Sequence, residues 1–180
     1  MIGVAARHAM MVRLITALLA LAMPFAVTKS ATAAVPATPP RVLFICQYGT
    51  AKSAIAREVF RQRAQARGIP VLAFSRGITP AEHVSPALRA RLLADGIDST
   101  RDPVQTLTPD DIRSADIVVT FAPLPNGMAG KRALDWSASP SMNDAYPRAR
   151  ADLIVRVDAL LERIRSEHQA APAASQRKLP

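Results

Sequence analysis

The sequence predicts an α/β fold: a parallel sheet with helices on both faces. Three observations predict it. Apolar runs of strand length (Val42–Cys46, Val71–Ser75, Asp116–Phe121) recur between segments of helical periodicity. The cores of these runs are apolar without alternation, as strands buried on both faces are. The first run passes through a short polar loop, Gln47–Lys52, straight into a helix that starts near Ser53. Such strand–loop–helix units build sheets with right-handed crossovers, and ligands sit beyond the carboxyl ends of their strands.

At 180 residues the chain has room for one domain with tails. Residues 1–34 read as a signal peptide. Arg7 and Arg13 precede an apolar run, Leu14–Val27, with no acidic residue in the segment. The run is about two-thirds of the ~20 residues that span a bilayer, and Ala31-Thr32-Ala33 fits a small-residue cleavage site. An uncleaved anchor is the alternative; Pro24 and the short run argue against it. Met10 or Met11 could serve as the start, since both keep Arg13 ahead of the run. The expected destination is the periplasm or the exterior, with no membrane contact after cleavage. Residues 35–40 form a proline-rich linker. Residues 41–168 hold the domain, and 169–180 read as a disordered tail.

The first helix, Ser53–Arg67, places Ile55, Val59 and Phe60 inward, with Arg57, Arg61, Arg63 and Arg67 expected on a solvated face. Gly68-Ile69-Pro70 stops it. After the second strand, Arg76–Pro80 forms a loop at the end of the sheet. Ser85 caps the next helix, with Pro86 at its first position and Leu88, Leu92 and Leu93 inside. Ile97–Thr108 reads as irregular, and Thr108-Pro109-Asp110-Asp111 starts another helix, with acids in its first turn. Lys131–Trp136 is a candidate fourth strand after the third at Asp116–Phe121. The last helix, about Arg148–Glu167, carries Leu153, Val157, Leu160, Leu161 and Ile164 at helical spacing.

The formal charge is +9, which suits anionic ligands. No basic run is interleaved with aromatics, which argues against nucleic acid. The single cysteine, Cys46, rules out an internal disulfide. It ends a strand and faces a Gly/Thr/Lys/Ser loop above a helix N-terminus. That is an anion-binding geometry, and one that favours a reactive thiolate. Ser53 reads either as a plain helix cap or as a hydrogen-bond donor to the Cys46 sulfur. Tyr48 could line the mouth of the loop. His83 is expected on the surface, with ligand contact as the alternative, and Trp136 in the core or on a pocket wall. Lys52-Ser53 also invites comparison with a nucleotide-binding G-x4-G-K-[ST] loop, but Cys46 and Ala51 stand where that loop needs glycine.

Cys46 to Ser53 has the form C-x5-K-S. Ser75-Arg76-Gly77-Ile78, Gly96-Ile97-Asp98, Leu107-Thr108, Ala115–Thr120 and Trp136 with Ser139-Pro140 follow in order. Over about Arg41–Ile164 these landmarks resemble the low-molecular-weight protein tyrosine phosphatase superfamily, and its thioredoxin-dependent arsenate-reductase branch most of all. The resemblance implies the phosphotyrosine protein phosphatase I fold, a flavodoxin-like (Rossmann-like) three-layer sandwich with a four-stranded parallel sheet. It implies Cys46 as nucleophile and Gln47, Tyr48, Gly49, Thr50, Ala51 and Ser53 as the substrate-binding loop, with no cofactor and no metal. The implied partner is a small oxyanion or a phosphorylated substrate. Three positions depart from the family. Lys52 replaces the arginine whose guanidinium grips two oxygens; it keeps the charge without the fork. Ser139 replaces the general-acid aspartate, with Asp135 or Asp144 as possible substitutes. Gly49 replaces a loop asparagine, which suits a left-handed backbone but loses side-chain hydrogen bonds. The reductase branch relays oxidation through further cysteines; Ala122 stands about where one would lie, so a redox cycle would need an external thiol. The expectation is a thiolate enzyme acting on phosphate monoesters. The alternatives are a catalytically silent oxyanion or phosphoprotein binder, or an arsenate-reductase-like thiol enzyme.

Overall fold

A computed structural model describes residues 38–128 and 132–176, with side chains to residue 169. The expected signal peptide, residues 35–37 of the linker, residues 129–131 and the last four residues lie outside the described residues. The elements are β1 (Arg41–Cys46), α1 (Lys52–Ala66), β2 (Leu72–Gly77), α2 (Pro86–Ala94), α3 (Pro109–Ser114), β3 (Ile117–Thr120), β4 (Ala133–Asp135) and α4 (Tyr146–Gln176). The strands form one parallel sheet in the order β2-β1-β3-β4. The expected four-stranded α/β architecture is therefore present. Strand order reverses between β1 and β3, and such a switch point opens a crevice at the strands' carboxyl ends. Cys46 is the last residue of β1.

Alternation along β1 divides the core. Val42, Phe44 and Cys46 face one layer, where they join residues of α1, α2 and α4. Leu43 and Ile45 face the other, with Val118 and the α3 residue Ile112. Phe44 is fully buried and packs edge-on against Phe60, 5.4 Å between ring centroids. Trp136 completes this cluster from beyond β4, 5.8 Å from Phe121. It is a core residue, 6% exposed.

The helix ends follow local chemistry. Ser85 accepts from the Leu88 N–H, and Pro86 opens α2. Thr108 and Asp111 form a reciprocal capping box at α3. The Ile97–Thr108 segment is irregular apart from a single bridge between Thr106 and Gly77. Helix α4 runs on to Gln176, where the sequence suggests a disordered tail from residue 169. Four alanines within residues 170–174 favour its continuation, whereas Pro172 between them opposes it.

The arginine face of α1 needs correcting. Arg57 is buried, 2% exposed, and beside it Glu58 is 1% exposed. Arg57 donates to the Ser75 hydroxyl at 2.9 Å and to the Ser99 carbonyl at 3.3 Å. It also pairs with Glu58 at 2.9 Å and Asp102 at 3.5 Å. Arg61 donates to Glu58 at 3.0 Å and to Asp102 at 2.8 Å. The network ties α1 to β2 and to the Ser99–Asp102 segment. It buries charge only because each carboxylate is shared among arginines. Arg63 and Arg67 are half-buried against Asp158 of α4.

Candidate active site

The loop after β1 is shaped by the chain that leaves β2. Ile78, Thr79 and Ala81 donate their N–H groups to the carbonyls of Cys46, Gln47 and Tyr48, at 3.1, 2.8 and 3.2 Å. A trans peptide holds its carbonyl and the next N–H antiparallel, and no cis bond occurs among the described residues. The amides of Gln47, Tyr48 and Gly49 are therefore turned to the opposite side. For Gly49 the target is visible: its N–H donates to Cys46 Sγ at 3.2 Å. Side chains tighten the same seam, Gln47 to Thr79 at 2.7 Å and Thr50 to the Ala81 carbonyl at 2.9 Å.

Gly49 is required by two facts. Its φ is +77°. A Cβ there would lie 2.8 Å from Val104 Cγ1 and 2.9 Å from the Gly77 nitrogen. Gly77 answers it, since a Cβ at Gly77 would lie 2.9 Å from the Tyr48 carbonyl group. Two glycines let the loop and β2 touch backbone to backbone.

Helix α1 starts at Lys52, with Ala51 at its N-cap and no side-chain cap. Its first N–H groups are thus left for an anion. Ser53 is not the cap. It is fully buried, with its hydroxyl 3.0 Å from Cys46 Sγ and 3.4 Å from the Arg76 carbonyl. With a thiol at Cys46, the S–H can donate to Ser53 while Ser53 donates to Arg76. With a thiolate, the hydroxyl must turn to the sulfur, which then accepts from Ser53 and Gly49 together.

Cys46 opens on a cleft of about 310 Å³. Gln47, Tyr48, Ala51 and Lys52 line it from the loop side, and Phe121 and Ala122 from the end of β3. Ser141, Met142 and Asn143 face them from the segment before α4, with His83 beside Tyr48. The Tyr48 and His83 rings lie 4.5 Å apart at 37°. Lys52 reaches across and donates to the Ser139 carbonyl at 2.6 Å. An ammonium has three donors, so this bond leaves others for an oxyanion.

A family model for low molecular weight phosphotyrosine protein phosphatase matches residues 41–127. Residues 41–127 belong to the low-molecular-weight phosphotyrosine protein phosphatase superfamily. A thioredoxin-dependent arsenate reductase from Corynebacterium glutamicum is 27% identical, with a TM-score of 0.57; the match covers 74% of this chain and 65% of that one. A low-molecular-weight protein tyrosine phosphatase from T. tengcongensis is 22% identical over 69% of this chain and 99% of its own, at TM-score 0.54. The YwlE arginine phosphatase from Geobacillus stearothermophilus is 21% identical over 73% and 97%, at 0.57. The last two likenesses concern the fold. No significant match to a curated protein was found.

Against the superfamily's expected constellation, Cys46, Lys52 and the loop meet at one cleft, but Ser139 does not join them. Ser139 is 5% exposed and donates its hydroxyl to Asp152 at 2.8 Å, away from the lining. Burial pushes the Asp152 carboxyl up, but hydrogen bonds from Arg156 and Ser139 outweigh it and hold it below the usual carboxylate range. Asp135 and Asp144 are no substitutes: neither lines the cleft. The Ser137 N–H and hydroxyl hold the Asp135 carboxyl below its ordinary value, and Asp144 accepts from Ser141 at 2.6 Å. Thr50 and Ser53 support the loop from behind rather than lining the cleft. Sequence reasoning missed Ser141, Met142 and Asn143, which carry no motif. Phe121 could have been found from its place at the carboxyl end of the strand beside β1.

Proposed function

We propose that this chain is an exported phosphatase-like thiol enzyme whose Cys46 thiolate attacks the phosphorus of phosphate monoesters. One observation carries the reading: Cys46 Sγ stands between the Gly49 N–H and the Ser53 hydroxyl, at an uncapped helix start and facing a cleft. Those donors point at the sulfur, and the inward amides with Lys52 match the charge of a tetrahedral oxyanion. Attack forms a thiophosphate, which water then hydrolyses. Lys52 makes a point contact where the superfamily has a fork, so transition-state stabilisation is weaker. Among the described residues no carboxylate lines the cleft. Turnover should therefore favour substrates with good leaving groups, since losing a positioned acid costs on the order of 10²–10⁴ in rate.

A second reading, a silent oxyanion or phosphoprotein binder, draws on the Lys52–Ser139 bond, which engages the Lys52 ammonium. Arsenate reduction is a third substrate class; with Cys46 the sole cysteine, its electrons must come from an external thiol. The experiment is hydrolysis of p-nitrophenyl phosphate, with arsenate-dependent thiol consumption in parallel. Hydrolysis abolished by Cys46→Ser supports the enzyme. Saturable phosphate binding without turnover supports the binder.

A further inference from the structure

We propose that His83 is the proton donor to the leaving group, in place of a carboxylic acid, which the described lining of this cleft lacks. The inference rests on the phosphatase reading and deepens it. A phosphate ester leaves as an alkoxide or phenoxide unless a proton reaches the bridging oxygen. Five lining side chains can carry hydrogen on nitrogen or oxygen to that atom without being the nucleophile or the oxyanion's counter-charge: Gln47, Tyr48, His83, Ser141 and Asn143. Amides and aliphatic hydroxyls donate hydrogen bonds but not protons near neutrality. Imidazole is the side chain most used for general acid–base work, and it outranks a phenol there.

His83 is exposed, yet its backbone is held from both sides of the cleft. Its N–H donates to the Thr50 hydroxyl at 3.1 Å, within the loop that carries Cys46. Its carbonyl accepts from Asn143 Nδ2 at 2.8 Å, on the opposite wall. The same Asn143 side chain accepts from the Ser85 N–H at 3.0 Å. The ring rests on Tyr48, 4.5 Å between centroids. A histidine serving only as a solvated surface residue needs none of these ties. Here they hold the His83 backbone at the cleft, with its ring against Tyr48.

The step balances as follows. The Cys46 sulfur pair forms the S–P bond as the P–O bond to the leaving group breaks, and the departing oxygen takes a proton from a ring nitrogen of imidazolium. Neutral imidazole then accepts a proton from water as the water oxygen bonds phosphorus and the S–P bond breaks. Imidazolium and thiolate are restored.

The test compares 2,4-dinitrophenyl phosphate, which leaves without help, with phenyl phosphate, which does not. In His83→Phe, which keeps a ring on Tyr48, kcat/KM, which reports thiophosphate formation and not its later hydrolysis, should fall on the order of 10²-fold for phenyl phosphate while that for the dinitrophenyl ester stays within about threefold. His83→Asn should give the same split. Circular dichroism and phosphate protection of Cys46 from alkylation should match the parent. Equal losses on both esters, or none on either, overturn the role of His83 and leave the phosphatase reading standing. Absence of Cys46-dependent turnover of the dinitrophenyl ester in the parent overturns both.

Discussion

Replacing Gly49 by alanine tests the close contact on which the loop after β1 depends. The backbone there has φ of +77°, which costs an L-residue about 1–2 kcal/mol. The added methyl would lie 2.8 Å from Val104 Cγ1 and 2.9 Å from the Gly77 nitrogen. Overpacking of this kind costs roughly 1–3 kcal/mol. Gly49→Ala should therefore destabilise by about 2–5 kcal/mol in urea unfolding. Relief must come from moving the loop, because the Gly77 contact is backbone and cannot rotate away. That movement draws the Gly49 N–H off Cys46 Sγ, now at 3.2 Å. A charge-assisted hydrogen bond is worth about 1.5–3 kcal/mol, so half-maximal phosphate protection of Cys46 should need roughly ten- to a hundredfold more phosphate. Val104 is 44% exposed, so Val104→Ala is cheap and separates the two contacts. Added to Gly49→Ala, it should recover part of the loss and not all. Loss below about 0.5 kcal/mol, with protection unchanged, would refute this account of the loop.

Other consequences follow from the same contacts. Arg57→Met strips Glu58 and Ser75 of a buried donor; Arg61 and Arg101 still reach Glu58, so the cost should sit near the low end of the roughly 3–5 kcal/mol range, read by urea unfolding. Ser139→Asp, the change a motif comparison would suggest to restore an acid, should restore none. It sets a carboxylate beside Asp152 in a buried site, and should cost about 2 kcal/mol with no gain on phenyl phosphate. Acid should unfold the domain through its depressed carboxyls. Arg61 holds Asp102, and Arg63 holds Asp158, below the ordinary value of 3.8. Their contribution is present above that value and is lost as pH falls through the lower folded values. The urea midpoint should be level near neutrality and drop steeply below pH 3.8, and an acid limb already complete above it would be contrary.

What the sequence disclosed and what it hid differ by range along the chain. β1 and the loop after it were legible because a continuous apolar run, a cysteine and a polar loop lie side by side. The α2 and α3 caps were legible because Ser85 and Thr108 act on residues three positions away. Arg57 was not, because its partners Ser75, Ser99 and Asp102 are remote in sequence, and helical spacing marks only where apolar residues fall. The idle hydroxyl of Ser139 depends on Asp152 in the next helix. His83 belongs to the cleft through Thr50 and Asn143, neither of which belongs to a motif near it. The family landmarks placed the Cys46–Ser53 loop at the end of β1, where it lies. It could not tell whether the acid's position still pointed inward.

The most direct test of the whole account is the rate of Cys46 alkylation by iodoacetamide, followed by mass spectrometry across a phosphate or vanadate series. The account predicts slowing that saturates with the anion and weakens when Lys52 is changed to Met. An alkylation rate indifferent to both anions, and equal to that of the urea-unfolded chain, would contradict it.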